Sequence, residues 1–153
     1  MTFELIPATK NQMPVLANLL ELYAYDFTEF HDIDLYDHGK FGYKALPLYW
    51  TEPGRHPFLV RVGGVLAGFV LVKQVEGPVW DMAEFFVMRK YRRIGIGTNL
   101  SHQIWKRFPG QWQVRVMQSN PAAHFWPKAI AKFTGSKAEP IKSLGWYVYS
   151  FES

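Results

Sequence analysis

The 153-residue sequence predicts an α/β (α+β) fold, with strands and helices interleaved through one domain that spans residues 1–153. Three observations carry this expectation. The apolar run at residues 83–88 leads into the basic, glycine-spaced stretch YRRIGIGTNL at 91–100 and from there into helical periodicity. Two strand-like segments, 57–62 and 65–72, flank Gly63-Gly64, a two-residue hairpin signal. Further segments of period two alternate with helical ones up to the end of the chain.

In chain order, residues 3–6 read as a short strand. Thr9-x-x-Gln12 reads as a capping box opening a helix with apolar residues at Met13, Leu16, Leu20 and Tyr23. Residues 26–44 read as loop with some broken helix, and hold Asp26, Glu29, Asp32, Asp34 and Asp37. An EF-hand counted from Asp32 fails at Tyr36 and Asp37, so these carboxylates read either as a solvated face or as an acidic lip that attracts a cation. After the hairpin, residues 79–88 form a central strand in which four consecutive apolar residues, Phe85 to Met88, predict cover on both faces. A helix over 97–108 stops at Pro109-Gly110, and 112–118 alternates as a strand. Asn120 caps a helix that begins at Pro121, is kinked by Pro127 and ends at Gly135. Residues 146–151 close the chain as a strand with Tyr147, Tyr149 and Phe151 on one face.

Composition narrows the function. The formal charge is +4, and arginine and lysine are scattered rather than striped, which favours an anionic ligand and argues against nucleic acid. The absence of cysteine removes disulfides, thiolate metal sites and a cysteine nucleophile. The N-terminus MTFELIPATK has neither a basic nor an apolar leader region, and no apolar run approaches a membrane span, so a cytoplasmic protein with no membrane partner is expected. His102 and His124 have no ligand partner one turn on, and no metal is expected.

A buried strand ending in a basic glycine turn and then a helix places backbone N–H groups and a positive helix end at one point, an anion site. Gly95 and Gly97 allow positive φ and close approach of a phosphate, and Arg92 and Arg93 add charge. A dinucleotide fingerprint fails because Leu100 stands where its third glycine belongs, and a P-loop fails because Gly97-Thr98-Asn99 lacks the Lys-Ser/Thr ending. What remains, Arg92-x-x-Gly95-x-Gly97 after a strand, resembles the pyrophosphate-binding signature of the GNAT superfamily of acyl-CoA-dependent N-acyltransferases. Asn120, Ala123, Phe125, Trp126 and Lys128 resemble that family's downstream N-x-x-A-x-F-Y-x-K pattern.

The resemblance implies a mixed central sheet flanked by helices and splayed after the central strand, with acetyl-CoA as cofactor and coenzyme A as product. It implies that the backbones of Val87 and Met88 hydrogen-bond the pantetheine and that a backbone N–H near Val87 is the oxyanion donor. It further implies that N–H groups of Arg93, Gly95, Ile96, Gly97 and Thr98 hold the pyrophosphate, that Arg92 supports the loop, and that Asn120 contacts the pantetheine arm. Trp126 stands where many members have a tyrosine acid, and an indole is no acid near neutral pH, so it reads as core packing.

For the base, Glu84 is the first candidate, as an ionisable group inside a covered strand whose pKa desolvation raises. A carboxylate paired with an arginine is the other reading. Asp81 is the second candidate, on the opposite face from Glu84 unless a bulge intervenes. The expected activity is N-acetylation of a primary amine on a cationic small molecule or peptide; a non-catalytic acyl-CoA-binding sensor is the alternative. The assembly is left open between a monomer and a homodimer.

Overall fold

The computed structural model describes residues 2–153. A seven-stranded sheet, in the order β1-β2-β3-β4-β5-β7-β6, runs through it. Its strands are β1 (Phe3–Pro7), β2 (Arg55–Val62), β3 (Val65–Glu76), β4 (Val79–Val87), β5 (Gln111–Met117), β6 (Ile141–Ser143) and β7 (Trp146–Glu152). All neighbours are antiparallel except β4 and β5, which are parallel as the crossover between them requires.

Three helices cover the sheet. The first, α1 (Met13–Phe27), places Leu16, Leu19 and Leu20 against Leu59, Phe69, Leu71 and Phe86 on one face. On the other, α2 (Ile96–Arg107) and α3 (Phe125–Thr134) bury Leu100, Ile104, Trp105, Trp126 and Ile130 against Val60, Val70, Val72, Trp112 and Val114. The hairpin β2–β3 turns at Gly63-Gly64 as expected, and both glycines have positive φ. At Gly68 a Cβ would lie 2.0 Å from the Phe86 carbonyl oxygen, so only glycine lets β3 approach β4 there.

Several expectations change. Thr9 N–H donates to Gln12 Oε1 at 2.9 Å, yet the turn this opens is 3-10 (Lys10–Gln12) before α1 begins. Helix α1 runs on to Phe27, so Asp26 is helical rather than part of a loop. Instead of one helix kinked at Pro127, a 3-10 turn (Pro121–Ala123) precedes α3, and Pro127 falls in the first turn of α3, where a missing N–H costs no helical bond. Strand β6 carries no alternating pattern, because all three of its residues are exposed at the sheet edge. Among the described residues no helix is long and apolar enough to cross a membrane.

Candidate active site

The parallel pairing of β4 with β5 lasts only two positions, Trp80 with Trp112 and Asp81 with Gln113. Beyond them the strands part, and a cleft of about 950 Å³ opens between residues 82–87 of β4 and 114–117 of β5. The strand register fixes which backbone groups face it. Met88 N–H donates to Ala67 O at 2.7 Å, so Val87 and Phe85, one and three residues earlier, turn their N–H groups away from β3 toward the gap.

A bulge in β4 decides the carboxylates. Leu71 pairs with Glu84 but Val72 pairs with Met82, which inserts Ala83 as an extra residue. Glu84 and Asp81 therefore lie on the same, α1-facing side, not on opposite sides as plain alternation requires. They differ in what they meet. Asp81 is 1% exposed, lies outside the cleft lining, and its Oδ2 accepts from an Arg115 guanidinium N–H at 2.9 Å. Glu84 lines the cleft and has no ion pair among the described residues. Burial raises its pKa to about 7, and the nearby Asp81 charge adds to the rise; the hydrogen bond from Tyr23 and the charges of Lys73 and Arg115 oppose it. Burial also pushes the Tyr23 hydroxyl well up, so it stays a donor to the carboxylate.

The glycine loop leaves β4 and turns sharply into α2. Arg93 and Gly95 have positive φ, 66° and 82°, and Gly95 is the left-handed residue from which α2 starts. Gly97 differs from the expectation: it lies inside the first turn of α2 with ordinary φ. What it accommodates is Phe125, whose Cζ lies 3.1 Å from where a Cβ would be. Arg92 supports the loop from within. Its Nε donates to Val87 O at 2.6 Å and a terminal N–H to Asp26 Oδ2 at 2.6 Å. Arg89 takes the other oxygen of Asp26, also at 2.6 Å. Two arginines and one carboxylate thus tie the end of β4 to the end of α1.

These partners redistribute the other candidates. Met88 has both backbone groups engaged, the N–H with Ala67 and the carbonyl with Tyr91 N–H at 2.9 Å. Asn120 lines the cleft while its Oδ1 accepts from Ala122 N–H at 2.9 Å. Trp126 is 7% exposed and packs edge-on against Phe85 and beside Trp105. Of the five acidic residues between 26 and 37, Asp26 is ion-paired, Glu29 lines the cleft, and Asp32, Asp34 and Asp37 do not. Sequence reasoning missed Tyr23 and Arg115 as partners of the two carboxylates; no local pattern marks either contact, because both join distant elements. Among the described residues no group of three His, Cys, Asp or Glu could hold a metal ion.

An acyl-coenzyme A fits this arrangement. The backbone N–H groups at the start of α2 suit a pyrophosphate, and the gap between the strands, with the Val87 N–H turned into it, leads from there to Glu84.

The family model described as "Acetyltransferase (GNAT) family" matches residues 16–129. No curated protein is similar enough in sequence to match. Among solved structures, an acetyltransferase from Thermus thermophilus superposes with a TM-score of 0.73 at 16% identity, covering 100% of this chain and 98% of that one. The ribosomal-protein-S18-alanine N-acetyltransferase from Escherichia coli gives 0.67 at 13%, covering 99% and 94%. The PaiA N-acetyltransferase from Thermoplasma acidophilum, in complex with coenzyme A, gives 0.66 at 9%, covering 100% of both chains. At these identities the structures show a shared fold, while the family model extends over most of the chain, and the chain therefore belongs to the GNAT acetyltransferase family.

Proposed function

We propose that residues 1–153 form one N-acetyltransferase domain that moves an acetyl group from acetyl-CoA to a primary amine. The observation that carries this reading is Glu84, a carboxyl desolvated to a pKa of about 7 where the sheet opens. Acetyl-CoA, when bound, would supply an acyl carbon activated by its thioester, whose C–S bond breaks as the amide C–N bond forms, so that coenzyme A leaves as the free thiol. Val87, Arg92, Arg93, Gly95, Ile96, Gly97, Thr98 and Asn120 are the residues proposed to hold it; Met88, whose backbone N–H and carbonyl are both engaged, lies outside the cleft lining.

An amine arrives protonated at neutral pH and is no nucleophile in that state. Glu84 takes the proton on a carboxylate oxygen and leaves the nitrogen lone pair free to form the amide. A base of pKa near 7 is about half ionised at neutral pH, close to the optimum for that task. Tyr23 orients the carboxylate, and the inward N–H groups of Phe85 and Val87 supply fixed positive dipoles in the gap. Asp81 receives no role in proton transfer, since it lies outside the cleft lining and is paired with Arg115.

Trp126 favours a second reading, a non-catalytic acyl-CoA sensor, because it stands where the family pattern has a tyrosine proton donor. One experiment separates the two. Acetyl-CoA at a hundred times its dissociation constant should stabilise the fold by about 2.7 kcal/mol in a melting curve. Addition of a primary amine should then release free thiol. A melting shift with no thiol release for any amine supports the sensor, and no shift at all refutes both.

A further inference from the structure

We infer that the acceptor is a primary amine carried on a flat apolar body, an arylalkylamine, rather than a polyamine or a charged peptide terminus. The inference rests on the N-acetyltransferase reading above and concerns the α1 side of the same cleft. There an aromatic wall begins at the proposed base. Tyr23, beside Glu84 in the cleft lining, meets Phe27 edge to face at a centroid distance of 4.6 Å, and Phe27 meets Phe30 at 5.2 Å. All three line the cleft, and Ile33 and Trp146 line it as well.

The wall is held in place before any ligand arrives. Past the end of α1 the backbone makes one more turn, with His31 N–H donating to Phe27 O at 2.8 Å. Phe30 then reaches the far strand, its carbonyl accepting from the Ser119 hydroxyl in the turn after β5 at 3.4 Å. The segment therefore bridges the two strands of the splay and presents Phe30 over the opening. Edge-to-face rings leave ring faces free for a planar group, and an ordered apolar wall does not lose side-chain entropy on binding.

Charge points the same way. Three carboxylates line the cleft, and Asp26 is consumed by Arg89 and Arg92. Glu84 and Glu29 remain. One ammonium can meet Glu84, but a second or third on a polyamine would enter a largely apolar passage with only Glu29, at the rim, to receive it, and an unpaired charge there would be desolvated without compensation. The acidic residues Asp32, Asp34 and Asp37, which a polycation would need, lie outside the lining.

The test compares kcat/KM for 2-phenylethylamine, propylamine and spermidine with acetyl-CoA in excess. The aryl amine should exceed propylamine by about tenfold or more, the scale on which an apolar pocket discriminates, and should exceed spermidine as well. In Phe30→Ala the ratio of 2-phenylethylamine to propylamine should fall toward one, and Phe30→Tyr should keep it; a ratio within one variant is independent of how much of that variant folds. As a readout without chemistry, 2-phenylethanol should raise the melting temperature of the wild type more than propanol does. Preference for spermidine or propylamine, or a ratio unchanged in Phe30→Ala, overturns the inference while leaving the N-acetyltransferase reading in place. If no amine releases thiol although acetyl-CoA binds, both fall.

Discussion

Replacement of Glu84 by glutamine should make the protein more stable and less active at the same time. Burial lifts the Glu84 pKa from 4.5 to about 7, so the folded state holds a proton that the unfolded state has lost between those values. For a carboxyl raised in this way the sign is opposite to that of a salt-bridged one. Stability is fully present below pH 4.5 and is lost as pH rises through 7, and that interval amounts to about 3 kcal/mol at 1.4 kcal/mol per pH unit. Glutamine carries no ionisable proton and keeps a similar shape, so it should recover up to about that much at pH 8 and almost none at pH 4. Urea denaturation of both proteins at a series of pH values measures the difference. The same change should cut kcat/KM by about a hundredfold or more and abolish the acid limb of its pH profile, while acetyl-CoA still raises the melting temperature. A mutant with unchanged pH dependence of stability would mean that Glu84 is solvated or paired, and the argument for a desolvated base would fail.

Four further outcomes follow from the same geometry. Tyr23→Phe removes the hydrogen bond that holds the Glu84 pKa down, so the acid limb of the rate profile should move to higher pH, read from kcat/KM against pH. Gly97→Val brings a Cβ within 3.1 Å of Phe125 and overpacks the turn at the start of α2; it should cost about 1–3 kcal/mol in denaturation and abolish the melting shift with acetyl-CoA. Arg92→Ala removes the 2.6 Å bonds to Val87 and Asp26, and should reduce that shift without eliminating it. Trp126→Phe leaves the aromatic packing with Phe85 largely in place, and turnover should stay within a few-fold if no acid is needed at this position, as measured by thiol release.

What was legible in the sequence was local. The Gly63-Gly64 hairpin, the strand leading into Arg92-x-x-Gly95-x-Gly97 and the cap at Asn120 each rest on chemistry within a few neighbouring residues, and each forms where expected. The bulge at Ala83 carries no glycine or proline to mark it, and it alone moves Asp81 to the face of Glu84. Their different surroundings then depend on Arg115 and Tyr23, which lie 34 residues after Asp81 in β5 and on α1 respectively. The acidic segment was legible as charge but not as geometry, since Asp26 meets Arg89 and Arg92 more than sixty residues away. Gly97 was read as a source of backbone freedom, whereas its lack of a side chain serves contact with Phe125 on another helix. In each case the missing information is a tertiary contact, which no window along the chain contains.

The most direct test of the central claim is to follow carbon-13-labelled acetyl-CoA with 2-phenylethylamine and the purified protein, by mass spectrometry of the amine alongside titration of free thiol. The account predicts labelled N-acetyl amine and free thiol in equal amounts, both strongly diminished in Glu84→Gln. Thiol release that yields labelled acetate instead of amide, or labelled amide formed at equal rates by wild type and Glu84→Gln, would contradict it.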